Sequence, residues 1–268
     1  MNPYAAALPH PAGARPADML RVATYNIHKG VRGLGPRKRL EIHNLLQGVE
    51  ALDADLVFLQ EVRLFNTGEA RRFGRGAAGW PAQGQAEYLT PAGYCTAYRS
   101  NAYTRQGEHG NALLSRFPIG EIGHRDVSDH RFEQRGLLHV PVRWRGLTLH
   151  AVVAHFGLAA GSRMRQVQRL ADYIDAEVPA GEPVAVAGDF NDWGEKLDAP
   201  MRERGLVRAH APGVAATRCA TFPSRVPVFA HDRVYTRGLH CRAAQVPRGS
   251  AWARMSDHLP LVVELTLV

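Results

Sequence analysis

The chain has 268 residues, 45% hydrophobic and 22% charged, the proportions of a globular protein whose core needs no covalent staples. Cys95, Cys219 and Cys241 are odd in number and widely spaced, with no C-x-x-C pair, which excludes a zinc–cysteine cluster and a disulfide framework and fits a reducing compartment. The net charge of +8 and pI near 9.8 favour polyanionic partners, whether nucleic acid, anionic lipid headgroups or phosphorylated small molecules.

The Ala- and Pro-rich stretch 1–19 reads as a disordered lead-in. It lacks the basic start and apolar run of a secretory signal, and no stretch approaches the ~20 apolar residues that span a bilayer, so a cytoplasmic monomer is expected. Leu20 to Ile27 reads as a first strand, with Asn26 near its end, and a Gly- and Arg-rich loop runs from His28 to Arg39. Leu40 to Leu52 has apolar residues at helical spacing, and Asp55 to Val62 is a second buried strand carrying Glu61. Arg63 to Gly93 is expected to be a loop with a helix over part of the mouth. Asn111 to Leu114 is a third strand. Leu137 to Trp144 and Leu147 to His155 form a hairpin around Arg145-Gly146, and Arg163 to Val178 is an amphipathic helix. Short strands follow at Val184 to Asn191, Asp232 to Tyr235 and Leu259 to Leu267. Strands dominate and no composition break appears after the lead-in, so 20–268 reads as one α/β domain.

Polar residues recur where these apolar runs stop. In Val184-Ala-Val-Ala-Gly-Asp-Phe-Asn-Asp-Trp193, Asp189 and Asn191 lie two apart at a strand end, which places them on one side. The competing reading is an Asx turn in which Asp189 bonds its own backbone. Asn26, Glu61, His155, Asp232, Asp257 and His258 occupy similar positions, held by rigid elements as a catalytic site requires. Asp232 has its own bland alternative, a surface pair with Arg233, and His155 could be a satisfied core histidine. The chemistry this set suits is phosphate-ester hydrolysis. Oxygen ligands from Glu61, Asn26 and Asp257 suit Mg2+ or Mn2+ better than zinc. His258 beside acidic residues suits proton transfer. His109 and His124 are read as surface residues.

Six segments occur in order: Tyr25–Ile27 (Y-N-I), Gln60–Val62 (Q-E-V), Gly110–Arg116 (G-N-A-L-L-S-R), Gly188–Asn191 (G-D-F-N), Asp232–Val234 (D-R-V) and Ser256–Pro260 (S-D-H-L-P). Together they resemble the endonuclease/exonuclease/phosphatase superfamily, whose fold is deoxyribonuclease-I-like. The resemblance implies a four-layer α/β sandwich, two packed mixed β-sheets flanked by helices. It implies that Glu61 and Asn26 hold the divalent metal, with Asp257 nearby, and that Asp232 orients His258 as general base or acid. Asp189 would orient or deprotonate the water, Asn191 would steady a phosphoryl oxygen, and His155 would line the phosphate from the opposite side. Arg135, in R-G-L-L, matches a phosphate-facing position. His28 and Asn111 are candidate substrate contacts, with a solvated loop and a local backbone bond as their plainer readings. The sequence departs from relatives at Asp192-Trp193, at His231 before Asp232, and at Glu108-His109 before Gly110-Asn111. The expected activity is metal-dependent phosphodiester hydrolysis, on DNA or RNA first and on a phospholipid, inositol phosphate or small phosphoester second. A non-catalytic polyanion-binding protein is the expectation from another class.

Overall fold

The computed structural model describes residue 16 and residues 18–210 and 219–268. The expected lead-in, 1–19, lies almost wholly outside the described residues. Strands β1 (Leu20–Asn26), β4 (Leu56–Val62), β5 (Cys95–Thr104), β6 (Gly107–Ser115), β13 (Leu239–Gln245) and β14 (Leu261–Leu267) form one six-stranded sheet in the order β13-β14-β1-β4-β6-β5. Strands β7 (Gly123–Asp126), β8 (Gly136–Trp144), β9 (Leu147–His155), β10 (Val184–Asp189), β11 (Val207–Arg208) and β12 (Asp232–Arg237) form the other, ordered β11-β12-β10-β9-β8-β7. Both are mixed: β1 runs parallel to β4 and β10 to β9, and the remaining pairs are antiparallel. Between β1 and α1 (Ile42–Leu52) stands a small hairpin of β2 (Val31–Arg32) and β3 (Arg39–Leu40).

Side-chain alternation builds the layers. Leu20 and Val22 of β1, Leu56 and Phe58 of β4, Leu149, Ala151 and Val153 of β9 and Ala185 and Ala187 of β10 form the core between the sheets. The alternate residues face outward. Ala23, Tyr25, Val57 and Leu59 meet α1, whose Ile42, Leu45, Val49 and Leu52 are buried. Val152, Val184 and Val186 meet α4 (Ala160–Glu177) through Val167, Leu170 and Ile174. Each such side chain contributes about 1.5–3 kcal/mol on burial. Both faces of the central strands are therefore apolar, which is why they read as continuous hydrophobic runs. The expected four-layer sandwich is the observed fold.

The hairpin around Arg145-Gly146 forms as expected, with both residues at positive φ (55° and 77°), the two-residue turn that suits strand twist. The loop expected over 63–93 holds two short helices, α2 (Thr67–Phe73) and α3 (Gln85–Tyr88). Two further short helices, α5 (Asp198–Glu203) and α6 (Trp252–Met255), flank the sandwich. Among the described residues no helix is long and apolar enough to cross a membrane.

Candidate active site

The same alternation that builds the inner core delivers the site. Continuing the inward phase reaches His155 on β9 and Asp189 on β10 in one step and Asn26 on β1 in two, past Thr24, and the step before Val234 on β12 is Asp232. These four positions cluster at one end of the sandwich. Register aligns them: Asp189 stands opposite His155 on one neighbour and Asp232 on the other. Glu61 falls in the outward phase of β4. A bulge breaks the register between Leu59 and Val62, and Glu61 takes φ +56°, which turns its carboxylate toward Asn26.

The polar contacts converge on Asp189. Its Oδ2 accepts from Asn26 Nδ2 at 3.0 Å and lies 3.6 Å from His258 Nε2 and 3.7 Å from His155 Nε2. His258 Nδ1 lies 2.8 Å from Asp232 Oδ2, which also accepts from Thr221 Oγ1 at 2.6 Å. Burial opposes charge on His258, but Asp232 and Asp189 together push its imidazole up to about 10. Burial, helped by Arg135, pulls His155 down to about 3 despite Asp189. One imidazole is thus held cationic and the other neutral around a single carboxylate.

Arg233 settles the alternative partner for Asp232. Adjacent on β12, the two residues point to opposite faces. Arg233 reaches outward to Asp192 Oδ2 at 2.8 Å, Asp198 Oδ1 at 3.2 Å and Tyr235 Oη at 3.0 Å, leaving Asp232 to His258. At Asp189 the expected turn is present, and it leaves the second carboxylate oxygen free of it. Oδ1 accepts from Asn191 N at 3.0 Å, closing an Asx turn, while Oδ2 faces the histidines. The strand ends at Asp189 and Asn191 takes φ +49°, so simple alternation does not carry to Asn191. Its amide nitrogen donates to Phe156 O at 3.0 Å.

Glu61 sits 3.5 Å from Asn26 Nδ2 and accepts from Lys29 Nζ at 2.6 Å. Burial alone would push its carboxyl up; the Lys29 ammonium outweighs burial and holds it well below the usual carboxylate range. His28 Nδ1 lies 3.3 Å from Asp257 Oδ1 and 3.9 Å from Glu61 Oε2, bridging the two carboxylates. His28 and Lys29 adopt left-handed φ of 45° and 61°, and Gln85 Nε2 pins Lys29 O at 2.8 Å. Ser256 Oγ donates to Asn26 O at 2.7 Å, tying the S-D-H segment to β1.

Two expected substrate contacts are engaged with the protein. Asn111 is fully buried, its amide nitrogen donating to Gly136 O at 2.9 Å and Val153 O at 3.2 Å, which clamps the two sheets together. Its Oδ1 is buried with no hydrogen-bond partner among the described residues. Arg135 donates to Phe156 O, Gln134 O and Glu133 Oε1 at 3.1–3.4 Å, beside His155. His109, read from sequence as a surface residue, is half-buried near Lys29 and Glu61, and burial and the Lys29 charge pull it down to about 4. An aromatic wall is a further feature that motif reading missed. Phe222 packs on His258 at 4.8 Å between ring centroids, and Trp193 packs on Phe229 and His231 at 4.9 and 4.4 Å. Both ring nitrogens of buried His231 lack hydrogen-bond partners among the described residues. The only signals were the departures at Asp192-Trp193 and His231.

The donor set Glu61, Asp257 and Asn26 is all oxygen, the chemistry of a hard divalent cation, and Glu61 is already held ionised beside a positive charge. Among the described residues no three His, Cys, Asp or Glu side chains converge as a ready-made metal cluster.

Comparison with known proteins bears on the family and the fold. The chain is 35% identical over 255 residues to a protein of Escherichia coli (strain K12) named uncharacterized protein YbhP, covering 92% of this chain and 96% of that one. In fold it is similar to the Bacteroides thetaiotaomicron mannosyl-6-phosphatase Bt3783, with a TM-score of 0.65 at 19% identity, covering 92% of this chain and 100% of that one. It is likewise similar to D. rerio TDP2 complexed with single strand DNA product, with a TM-score of 0.65 at 17% identity over 92% and 99% of the two chains. The model of the Endonuclease/Exonuclease/phosphatase family matches residues 23–258, and the chain belongs to that family.

Proposed function

We propose that this chain is a divalent-metal-dependent phosphodiesterase. The observation that carries the reading is Asp189, held between His258 and His155 at 3.6 and 3.7 Å, with His258 fixed on its far side by Asp232 at 2.8 Å. Hydrolysis adds one water across one P–O bond. A water oxygen attacks phosphorus in line, the ester P–O bond opposite breaks, and a phosphomonoester and an alcohol leave. Asp189 is placed to orient that water and take its proton. Asp232 fixes the orientation of His258 and favours its charged form, so that Nε2–H is placed to give the leaving oxygen a proton, balancing the one that Asp189 takes from the water. Asn191 and His155 flank the phosphoryl oxygens. Glu61, Asn26 and Asp257 would hold Mg2+ or Mn2+, which supplies polarisation of a phosphoryl oxygen when bound. Arg135 adds positive charge around the dianionic transition state, and His28 is a further candidate contact to the phosphate.

The +8 charge supports a polyanionic substrate, which DNA, RNA and an anionic lipid surface all are. A nuclease is the first activity to assay. The TDP2 and mannosyl-6-phosphatase neighbours are too distant in sequence to choose among substrates. The test of the core reading is turnover of bis-p-nitrophenyl phosphate with and without added Mg2+ or Mn2+. Metal-dependent release of p-nitrophenol supports it; a protein inert in both conditions removes it in favour of a non-catalytic polyanion binder.

A further inference from the structure

The surface around the site bears on its substrate. Strand directions bring the loops after β1, β4, β5, β7, β9 and β10, and those before β12 and β14, to the end where Asp189 sits. Nine of the thirteen large apolar side chains exposed among the described residues lie on these loops. On one side, Leu64 and Phe65 follow β4, Tyr103 closes β5, Phe132 stands between β7 and β8, and Leu158 follows β9. On the other side, Trp193 follows β10, Val226 and Val228 precede β12, and Leu34 tips the β2–β3 hairpin. The remaining four lie elsewhere: Leu147, Val207 and Val268 toward the opposite strand ends, and Met164 on α4.

Hydrogen bonds join these loops within each of the two sides. Tyr103 N donates to Gln134 Oε1 and Leu158 N to Glu133 Oε1, both at 2.9 Å, which seats Tyr103, Phe132 and Leu158 along one wall. Tyr103 and Phe132 share a groove of about 620 Å³ with His109 and Arg135. Arg32 Nη1 donates to Ser224 Oγ at 3.3 Å and Ser256 O at 2.5 Å, fixing the hairpin that carries Leu34 against the loop that carries Val226. Cations are set among the apolar groups. Arg131 lies over the Phe132 ring at 4.6 Å, and Arg225, Arg248 and Arg254 line a pocket of about 530 Å³ below Val226.

Isolated exposed apolar residues are ordinary, but their concentration around a single opening is not. A nucleic acid would meet the arginines and stack on Trp193 or Phe132, yet it offers nothing to Leu34, Leu158, Val226 and Val228. The interface of an anionic bilayer takes both classes, with aliphatic groups entering the acyl boundary and arginines meeting headgroup phosphates. We propose that the mouth of this site docks on an anionic phospholipid bilayer, and that the phosphodiester it hydrolyses belongs to a lipid in that surface. Water would add across one P–O bond of the headgroup linkage, leaving a phosphomonoester and an alcohol. The substrate half of this inference rests on the phosphodiesterase reading; the docking half does not.

The experiment is co-sedimentation of the full chain with phosphatidylcholine vesicles, with and without phosphatidylglycerol, beside duplex and single-stranded DNA, with bis-p-nitrophenyl phosphate turnover measured on the same samples. Binding should be at least ~10-fold tighter to the anionic vesicles. The triple variant Leu34→Ser, Phe132→Ser, Val226→Ser should lose at least ~10-fold of that binding while keeping turnover of the soluble diester. Arg225→Glu, an exposed single change, should lose binding in the same direction and stands in if the triple variant does not fold. Equal or absent binding to both vesicle types would overturn the proposal. So would tighter binding to DNA that both variants leave unchanged. Vesicle binding without diester turnover sinks the catalytic reading and leaves docking intact; turnover without vesicle binding does the reverse.

Discussion

Replacing Arg233 by Met tests how the strand β12 sorts its charges. Arg233 is fully buried, and its guanidinium meets Asp192, Asp198, the Tyr235 hydroxyl and the backbone of Ala230 and Asp192. Asp192 is equally buried, so Met at 233 leaves an uncompensated carboxylate in the interior. Breaking a buried pair from one side costs about 3–5 kcal/mol. For a domain of this size that corresponds to a fall in melting temperature of roughly 6–20 °C. Urea unfolding monitored by circular dichroism reads it directly. Asp192→Asn added to Arg233→Met should recover part of the loss, because the stranded charge is gone. A cost of Arg233→Met below about 1 kcal/mol, or a further loss on adding the second change, would mean that Asp192 does not depend on Arg233 for its charge.

Three more outcomes follow from the site and the core. Glu61→Gln should weaken Mg2+ or Mn2+ binding by calorimetry at least ~10-fold with the fold intact, since it removes the charge from the bulged carboxylate; unchanged affinity would take Glu61 out of the ligand set. Asp232→Asn should lower kcat ~10²-fold or more with little change in KM, because the fault is expressed in the transition state; a change confined to KM would make Asp232 a substrate contact instead. His139, buried against His150 and Tyr173, is pulled down to about 4 by burial and the neighbouring imidazole. Its folded value is depressed, so the unfolded chain binds the extra proton as pH falls from about 6.5. Stability is therefore complete above about 6.5 and drains away toward about 4, by about 2 kcal/mol between pH 7.5 and pH 5. His139→Gln should flatten that part of the urea-midpoint profile, and identical slopes in both proteins would refute the assignment.

Much of this arrangement was readable because β1, β4, β9 and β10 are buried on both faces, so their runs are apolar and the first polar residue marks the strand end. Asn26, His155 and Asp189 stand out for that reason. Glu61 was readable as a strand-end carboxylate, but the bulge that turns it inward was not, because φ +56° at a Glu is imposed by the packing around it. Strands β5 and β13 went unread. Each has a largely solvated face, with Arg99 on one and His240 on the other, and neither carries a clean apolar alternation. The short β7 and β11, and the helices α5 and α6, were missed because two to six residues carry too little period to recognise. His109 looked like a surface residue beside Glu108; it is half-buried, and the charges that act on it, Lys29, Glu61 and Arg135, are remote in sequence. The ion pair of Arg233 with Asp192 spans 41 positions, and no local pattern announces it.

The most direct test of the phosphodiesterase reading is a double-mutant cycle on His258 and Asp232, followed by metal-dependent turnover of bis-p-nitrophenyl phosphate. His258 Nδ1 and Asp232 Oδ2 are 2.8 Å apart and both residues are buried, so in the proposed mechanism the imidazole and its carboxylate would act as one unit. His258→Ala should lower kcat by ~10²–10⁴. Adding Asp232→Asn to it should cost almost nothing more, since the group that Asp232 positions is already gone. A double variant that loses the full product of the two single effects would contradict the account, for it would mean that His258 and Asp232 contribute independently.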